Sequence, residues 1–85
     1  MAWRVTFDNR AYKELEALGK SDAERVLKAL RRLAIDPLKA ANVKALRGEE
    51  GYRLRVGDYR VLYKLNAGEL LVFVVKVGHR REVYR

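Results

Sequence analysis

The sequence predicts an α+β protein of two layers, an antiparallel-rich sheet of four to five strands with an N-terminal helical hairpin packed on one face. Three observations lead there. A chain of 85 residues can bury one two-layer core and not two, so residues 1–85 are read as one domain. Apolar residues recur with a period of two near the start and again from Tyr52 onward, and with a helical period between. Lastly, Gly57-Asp58 separates two alternating runs in the manner of a two-residue hairpin loop.

The elements follow in order. Ala2 to Phe7 alternates Trp3, Val5 and Phe7 with Arg4 and Thr6, a strand with one buried face. Asp8 is placed to cap a helix in which Ala11, Leu15 and Leu18 recur along one side, and Gly19 supplies a left-handed stop. Ser21-Asp22-Ala23-Glu24 reads as a capping box for a second helix, whose stripe of Ala23, Leu27, Leu30 and Ala34 is widened by Val26 and Leu33. Arg25, Lys28, Arg31 and Arg32 are expected to stay in water, and Asp36-Pro37 ends the helix. Lys44 to Leu46 reads as a short edge strand, followed by Tyr52 to Val56, Tyr59 to Leu65 and Leu70 to Val77 as a meander. The last strand is apolar on both faces, as central strands are, so Trp3 to Phe7 is expected on its far side.

The Gly57-Asp58 loop sets a register that forces cations together. Val56 should pair with Tyr59, Arg55 with Arg60 and Leu54 with Val61, which leaves Arg53, Arg55 and Arg60 on the face opposite the core. Like charges directly opposite one another destabilise a sheet. Guanidinium forks match phosphate oxygens bidentately, so this face reads as a phosphate or nucleic-acid site; the plainer alternative is a solvated face with arginines kept for solubility. At the other end of the meander, Asn66-Ala67-Gly68 reads as a three-residue loop with Gly in the left-handed position. That loop pairs Leu65 with Glu69 and Val61 with Phe73, and it puts Leu62, Val72 and Val74 on the open face beside Arg60.

Composition narrows the chemistry. Nineteen Lys and Arg against eleven Asp and Glu leave a formal charge of +8, which asks for a polyanionic partner. No apolar run approaches the ~18 residues of a membrane span, and the start lacks the basic-then-apolar order of a signal peptide, so a cytoplasmic protein with no membrane partner is expected. Without cysteine there is no thiolate nucleophile or thiolate metal ligand. One histidine and scattered acids do not make a metal site, and Ser21, the only serine, is better used as a cap than in a catalytic triad. No glycine-rich phosphate loop is present, so neither a metal nor a small-molecule cofactor is expected. Glu49-Glu50, next to glycines, reads as a solvated pair of acids rather than a catalytic one.

The C-terminal run Gly78-His79-Arg80-Arg81-Glu82-Val83-Tyr84-Arg85 brings an imidazole, guanidiniums and a phenol after the strand that neighbours Arg60. A lone histidine is usually structural and a terminal aromatic usually packs. Closed over the arginine face, however, this set would supply what RNA cleavage without metal needs: proton transfer and stabilisation of charge on the phosphate. Tyr52 to Tyr63 together with Val77 to Tyr84 closely resembles the RelE toxins of bacterial and archaeal toxin-antitoxin pairs. The opening strand, the helical hairpin and Leu46-Arg47-Gly48 fall in the same order.

The resemblance implies an endoribonuclease, an mRNA interferase that acts in the ribosomal A site by metal-independent 2′-hydroxyl attack and is silenced by a cognate RelB-like antitoxin. It implies that Arg53 helps neutralise the phosphate, that Arg60 holds transition-state charge, that Arg80 serves the leaving group, and that Tyr84 orients or stacks on the substrate. Arg55 takes the position proposed for the general base. Familiar members carry lysines where Arg53 and Arg55 stand, and a guanidinium with a pKa above ~12 is a poor base at neutral pH. Arg55 is therefore read as electrostatic, with His79 the better titrating group. The expected open patch of Leu62, Val72 and Val74 then reads as antitoxin surface. Two rivals remain: a ParE-like toxin that poisons gyrase, and a non-catalytic RNA- or ribosome-binding domain.

Overall fold

Residues 2–79 are described in the computed structural model of the chain. In order they form β1 (Arg4–Phe7), α1 (Asn9–Glu16), α2 (Lys20–Ile35), β2 (Val43–Ala45), β3 (Tyr52–Val56), β4 (Tyr59–Asn66) and β5 (Leu71–His79). The strands make one five-stranded sheet in the order β1-β5-β4-β3-β2, and only the β1–β5 pair is parallel. The two-sided apolar strand β5 is thus internal, with β1 on its far side as expected. Neither helix is long and apolar enough to cross a membrane among the described residues.

Both helices cover one sheet face. Ala11 and Leu15 of α1 and Val26, Leu30 and Leu33 of α2 close over Leu54, Val61, Tyr63, Val72, Val74 and Val77. Val26, Leu30, Leu33 and Ala34 form the deepest part of the α2 stripe, while Ala23 and Leu27 are only partly covered. The amide of Trp3 donates to the Ala34 carbonyl at 2.7 Å, fastening the start of the chain to the end of α2.

The capping box does not form. Helix α2 begins at Lys20 with Gly19 (φ +90°) at its N-cap, so Ser21 already lies inside the first turn. Asp8 does occupy the N-cap of α1, but its carboxylate makes no capping bond.

The β4–β5 connection also differs from expectation. Asn66 pairs with Leu71 and Leu65 with Val72, so the loop spans residues 67–70 and the left-handed residue is Leu70 (φ +51°), not Gly68. The Asn66 side chain explains the choice: its Oδ1 accepts the Glu69 amide at 3.1 Å and closes the turn without a glycine. The pairing is offset from the expected one by an odd number of residues, which turns a strand over. Val72 and Val74 are therefore fully buried beneath the helices, and the outward patch predicted from them does not exist. Leu62 stays on the open face, where Phe73 joins it opposite Lys64. A bulge then intervenes, with Tyr63 paired to Val74 but Leu62 to Lys76, so Val75 is the extra residue. Beyond it the alternation is restored: Val77 faces the core opposite Val61, and Gly78 lies opposite Arg60.

Strand β1 stops opposite Val74, and a side chain takes over there. Glu14 Oε1 accepts the Val77 amide at 2.9 Å, where a longer β1 would have offered a carbonyl, and its Oε2 accepts from Lys76 Nζ at 2.9 Å.

Candidate active site

The β3–β4 hairpin has the register its loop dictates: Val56 pairs with Tyr59, Arg55 with Arg60, Leu54 with Val61 and Arg53 with Leu62. Gly57 takes φ +57° while Asp58 keeps an ordinary negative φ, the arrangement of a two-residue loop with glycine first. Leu54, Val56 and Val61 enter the core, so Arg53, Arg55 and Arg60 lie together on the face that the helices leave open. They differ in depth. Arg55 is exposed and Arg53 half-buried, whereas Arg60 is only 8% exposed between Arg55 and Gly78.

One further cation belongs to this face. Lys44 of β2 lies directly opposite Arg53, and directly opposed residues share a face. Sequence reasoning had started the edge strand at Lys44 without fixing its partner; pairing Val43 with Leu54 is what brings the amine beside Arg53. The strand positions of this face carry no carboxylate. Glu50 lies 4.0 Å from Lys64 and Glu69 lies 3.9 Å from Arg4 at the far end of the sheet, and the exposed Asp58 sits in the hairpin turn itself. The cations of this face therefore gather on the paired positions of β2, β3 and β4, at Lys44, Arg53, Arg55 and Arg60.

The hairpin tip is pinned from the helix side. Tyr59, one residue before Arg60 and on the opposite pleat, donates its hydroxyl to Asp22 of α2 at 2.9 Å. The hydrogen bond to the Asp22 carboxylate raises the phenol's pKa above its ordinary value. Asp22 is also 3.5 Å from Arg25, whose guanidinium rests on the turn: a methyl added at Gly57 would meet Arg25 Nη2 at 2.6 Å.

His79 pairs with Tyr59 and packs edge-on to it, with ring centroids 5.8 Å apart. The pleat thus gives His79 to the Tyr59 side of the sheet, while Arg60 points to the other. Arg80 and Tyr84, the remaining predicted site residues, lie outside the described residues. Among those described, no three His, Asp or Glu side chains come together as a metal site.

Comparison with known proteins fits this fold. Residues 5–84 match the family model described as the ParE toxin of the type II toxin-antitoxin system parDE. The chain belongs to the RelE/ParE toxin family. It is 37% identical to the mRNA interferase toxin RelE of Escherichia coli over 99% of this chain and 92% of that protein. Among solved structures of the family, the RelBE2 toxin-antitoxin complex of Mycobacterium tuberculosis contains a chain that superposes with a TM-score of 0.82 at 29% identity, covering 94% of this chain and all of that one. The intact E. coli RelBE complex gives 0.77 at 36% identity, covering 92% and 96%. The RelE-RelB complex of Pyrococcus horikoshii gives 0.79 at 30% identity, covering 94% and 97%.

Proposed function

We propose that this protein is the toxin of a type II toxin-antitoxin pair, a cytoplasmic, ribosome-dependent endoribonuclease that cleaves mRNA in the A site and is held inactive by a RelB-like antitoxin. The observation that carries this reading is the set of Arg53, Arg55, Arg60 and Lys44 on a sheet face with no strand carboxylate. In the reaction, the ribose 2′-oxygen attacks the adjacent phosphorus, the bond to the 5′-oxygen breaks, and the 2′-hydroxyl proton ends on the leaving oxygen. Arg60, held rigidly by its depth, meets the charge that grows on the equatorial oxygens. Arg53 and Arg55 neutralise the entering backbone, Arg80 serves the leaving oxygen, and Tyr84 orients or stacks on a base. That no metal takes part is supported by a face built of permanent cations rather than metal-ligating acids.

Two versions of the proton transfer differ in pH dependence. With His79 as base, the single-turnover rate depends on pH through the imidazole, and His79→Ala removes that dependence with a loss of ~100-fold. With charge stabilisation alone, His79→Ala leaves the profile unchanged. The packing of His79 on Tyr59 favours the second version.

Primer extension on an mRNA translated in vitro with added protein tests the function. Cuts that appear only with ribosomes are expected. The ParE description of the matching family favours one other reading, a gyrase poison. DNA breaks through gyrase, with the transcript intact, would establish that reading instead.

A further inference from the structure

A groove runs beside α2 on the helix side of the sheet, away from the arginine face. Arg25, Lys28 and Arg32 rise from α2 at one-turn spacing and, with Ala29 and Val56, line a shallow open concavity of about 220 Å³. The groove lies where the sheet edge is bare. Strand β2 pairs no further along β3 than Leu54, and the Arg55 amide makes the last bond to that segment, at the Asn42 carbonyl. Arg55 turns to the open face from that same edge, and Arg25 rests on the neighbouring turn. Basic side chains therefore flank the bare β3 edge from both layers, with Asp58 in the turn and Asp22 on α2 the acids nearest them. Among the described residues no acid bridges to Lys28 or Arg32, and Arg25 shares Asp22 while staying 59% exposed.

We infer that this groove is a docking site for the phosphodiester backbone of ribosomal RNA, an inference that rests on the ribosome-dependent reading above. The chemistry of the walls separates RNA from an acidic protein. A protein interface needs aromatic or large aliphatic anchors in desolvated pockets, whereas this floor is Ala29 and the already buried Val56. Three long cations over a small floor suit backbone contact, which positions a nucleic acid without reading its sequence. Arg25 to Arg32 spans roughly 10 Å of helix axis at about 1.5 Å per residue, the reach of about two phosphates. Because the reacting strand belongs to the opposite face, this site holds the ribosome rather than the message.

The test compares the double variant Lys28→Gln/Arg32→Gln with Arg10→Gln/Lys13→Gln, which removes the same charge from exposed positions on α1. Association of each full-length chain with vacant 70S ribosomes is measured by sedimentation between 50 and 200 mM salt, beside cleavage of translated mRNA. Each lost phosphate contact lowers the log–log salt slope by about one. The groove variant should lose about two from its slope and about tenfold in cleavage near physiological salt, with cleavage recovering at low salt, while the α1 variant keeps both. An unchanged slope in the groove variant overturns the inference, as does an equal loss in the α1 variant. So does a groove variant that still binds ribosomes but releases the antitoxin, since the groove would then belong to a protein partner. A wild-type chain that neither pellets with ribosomes nor cuts mRNA removes the function as well as the groove; a wild-type chain that cuts, matched by the groove variant, removes the groove alone.

Discussion

Arg60 and Val61 are neighbours on β4 and answer to different demands. Val61 is fully buried between the helices and the sheet; Arg60 is nearly as deep on the other face, yet it carries a charge among other cations. Depth alone does not separate a core position from a site position. What separates them is whether the surroundings match the side chain. The helix-covered face matches apolar with apolar, and the open face sets Arg55 directly opposite Arg60, with Lys44 opposite Arg53.

The largest effect that can break this contrast is on chemistry. Arg60→Ala should reduce cleavage of translated mRNA by about 10²–10³-fold, the range for removing one donor to a developing oxyanion, with the circular dichroism of the folded chain retained. A variant that cuts normally would return Arg60 to the structural class. On the opposite face, Leu54→Ala should lower the unfolding free energy by about 2–4 kcal/mol through the cavity it opens. Its activity per folded molecule should be unchanged, and denaturant melts beside single-turnover rates read both quantities.

A subtler probe is Tyr63. Its hydroxyl is buried with no hydrogen-bond partner among the described residues, and its ring stacks on Tyr52 at 5.7 Å. Burial pushes the phenol up to about 12 from 10.0, with Tyr52 adding to the shift. A raised folded value means that stability is fully present below pH 10 and is lost as pH rises toward 12, by at most ~2–3 kcal/mol for a shift of about two units. Tyr63→Phe should be neutral or stabilising at pH 7, because a hydroxyl without a partner is removed, and should flatten that alkaline limb. A steep destabilisation at neutral pH would mean that the hydroxyl has a partner after all. The smallest change expected is Tyr59→Phe. Losing the bond to Asp22 should lower stability slightly at neutral pH, together with a few-fold loss of cleavage if the tip it pins aims Arg55 and Arg60. Unaltered cleavage would confine Tyr59 to the packing side.

The two hairpins show what was legible in the sequence. Gly57-Asp58 leaves one tight register open, so the arginine face followed from residue types alone. Asn66 to Leu70 offers several closures, and Asn66 selects a four-residue loop through a side-chain bond that periodicity does not report. The Val75 bulge hides in an unbroken apolar run, because inward and outward valines look the same. The order of elements, the internal position of β5 and the arginine set were readable from local patterns. Lys44, the Asp22–Tyr59 bond and the placing of His79 depended on contacts between segments far apart in the chain. On helix α2, Arg25, Lys28, Arg31 and Arg32 stay exposed as their positions off the apolar stripe predict, whereas the approach of Val56 to them depended on tertiary packing.

Glu14 bears on how this molecule behaves in a crowded solution. A strand that outlasts its neighbour leaves a stretch of naked amides, and such stretches recruit strands from other molecules. Here a carboxylate already sits on the Val77 amide, with an ammonium from Lys76 at its side. An intruding chain would have to evict a charged group before it could zip onto β5. The sheet is thus guarded against self-templating polymerisation at the stretch where its own lattice runs out, by one side chain borrowed from a helix.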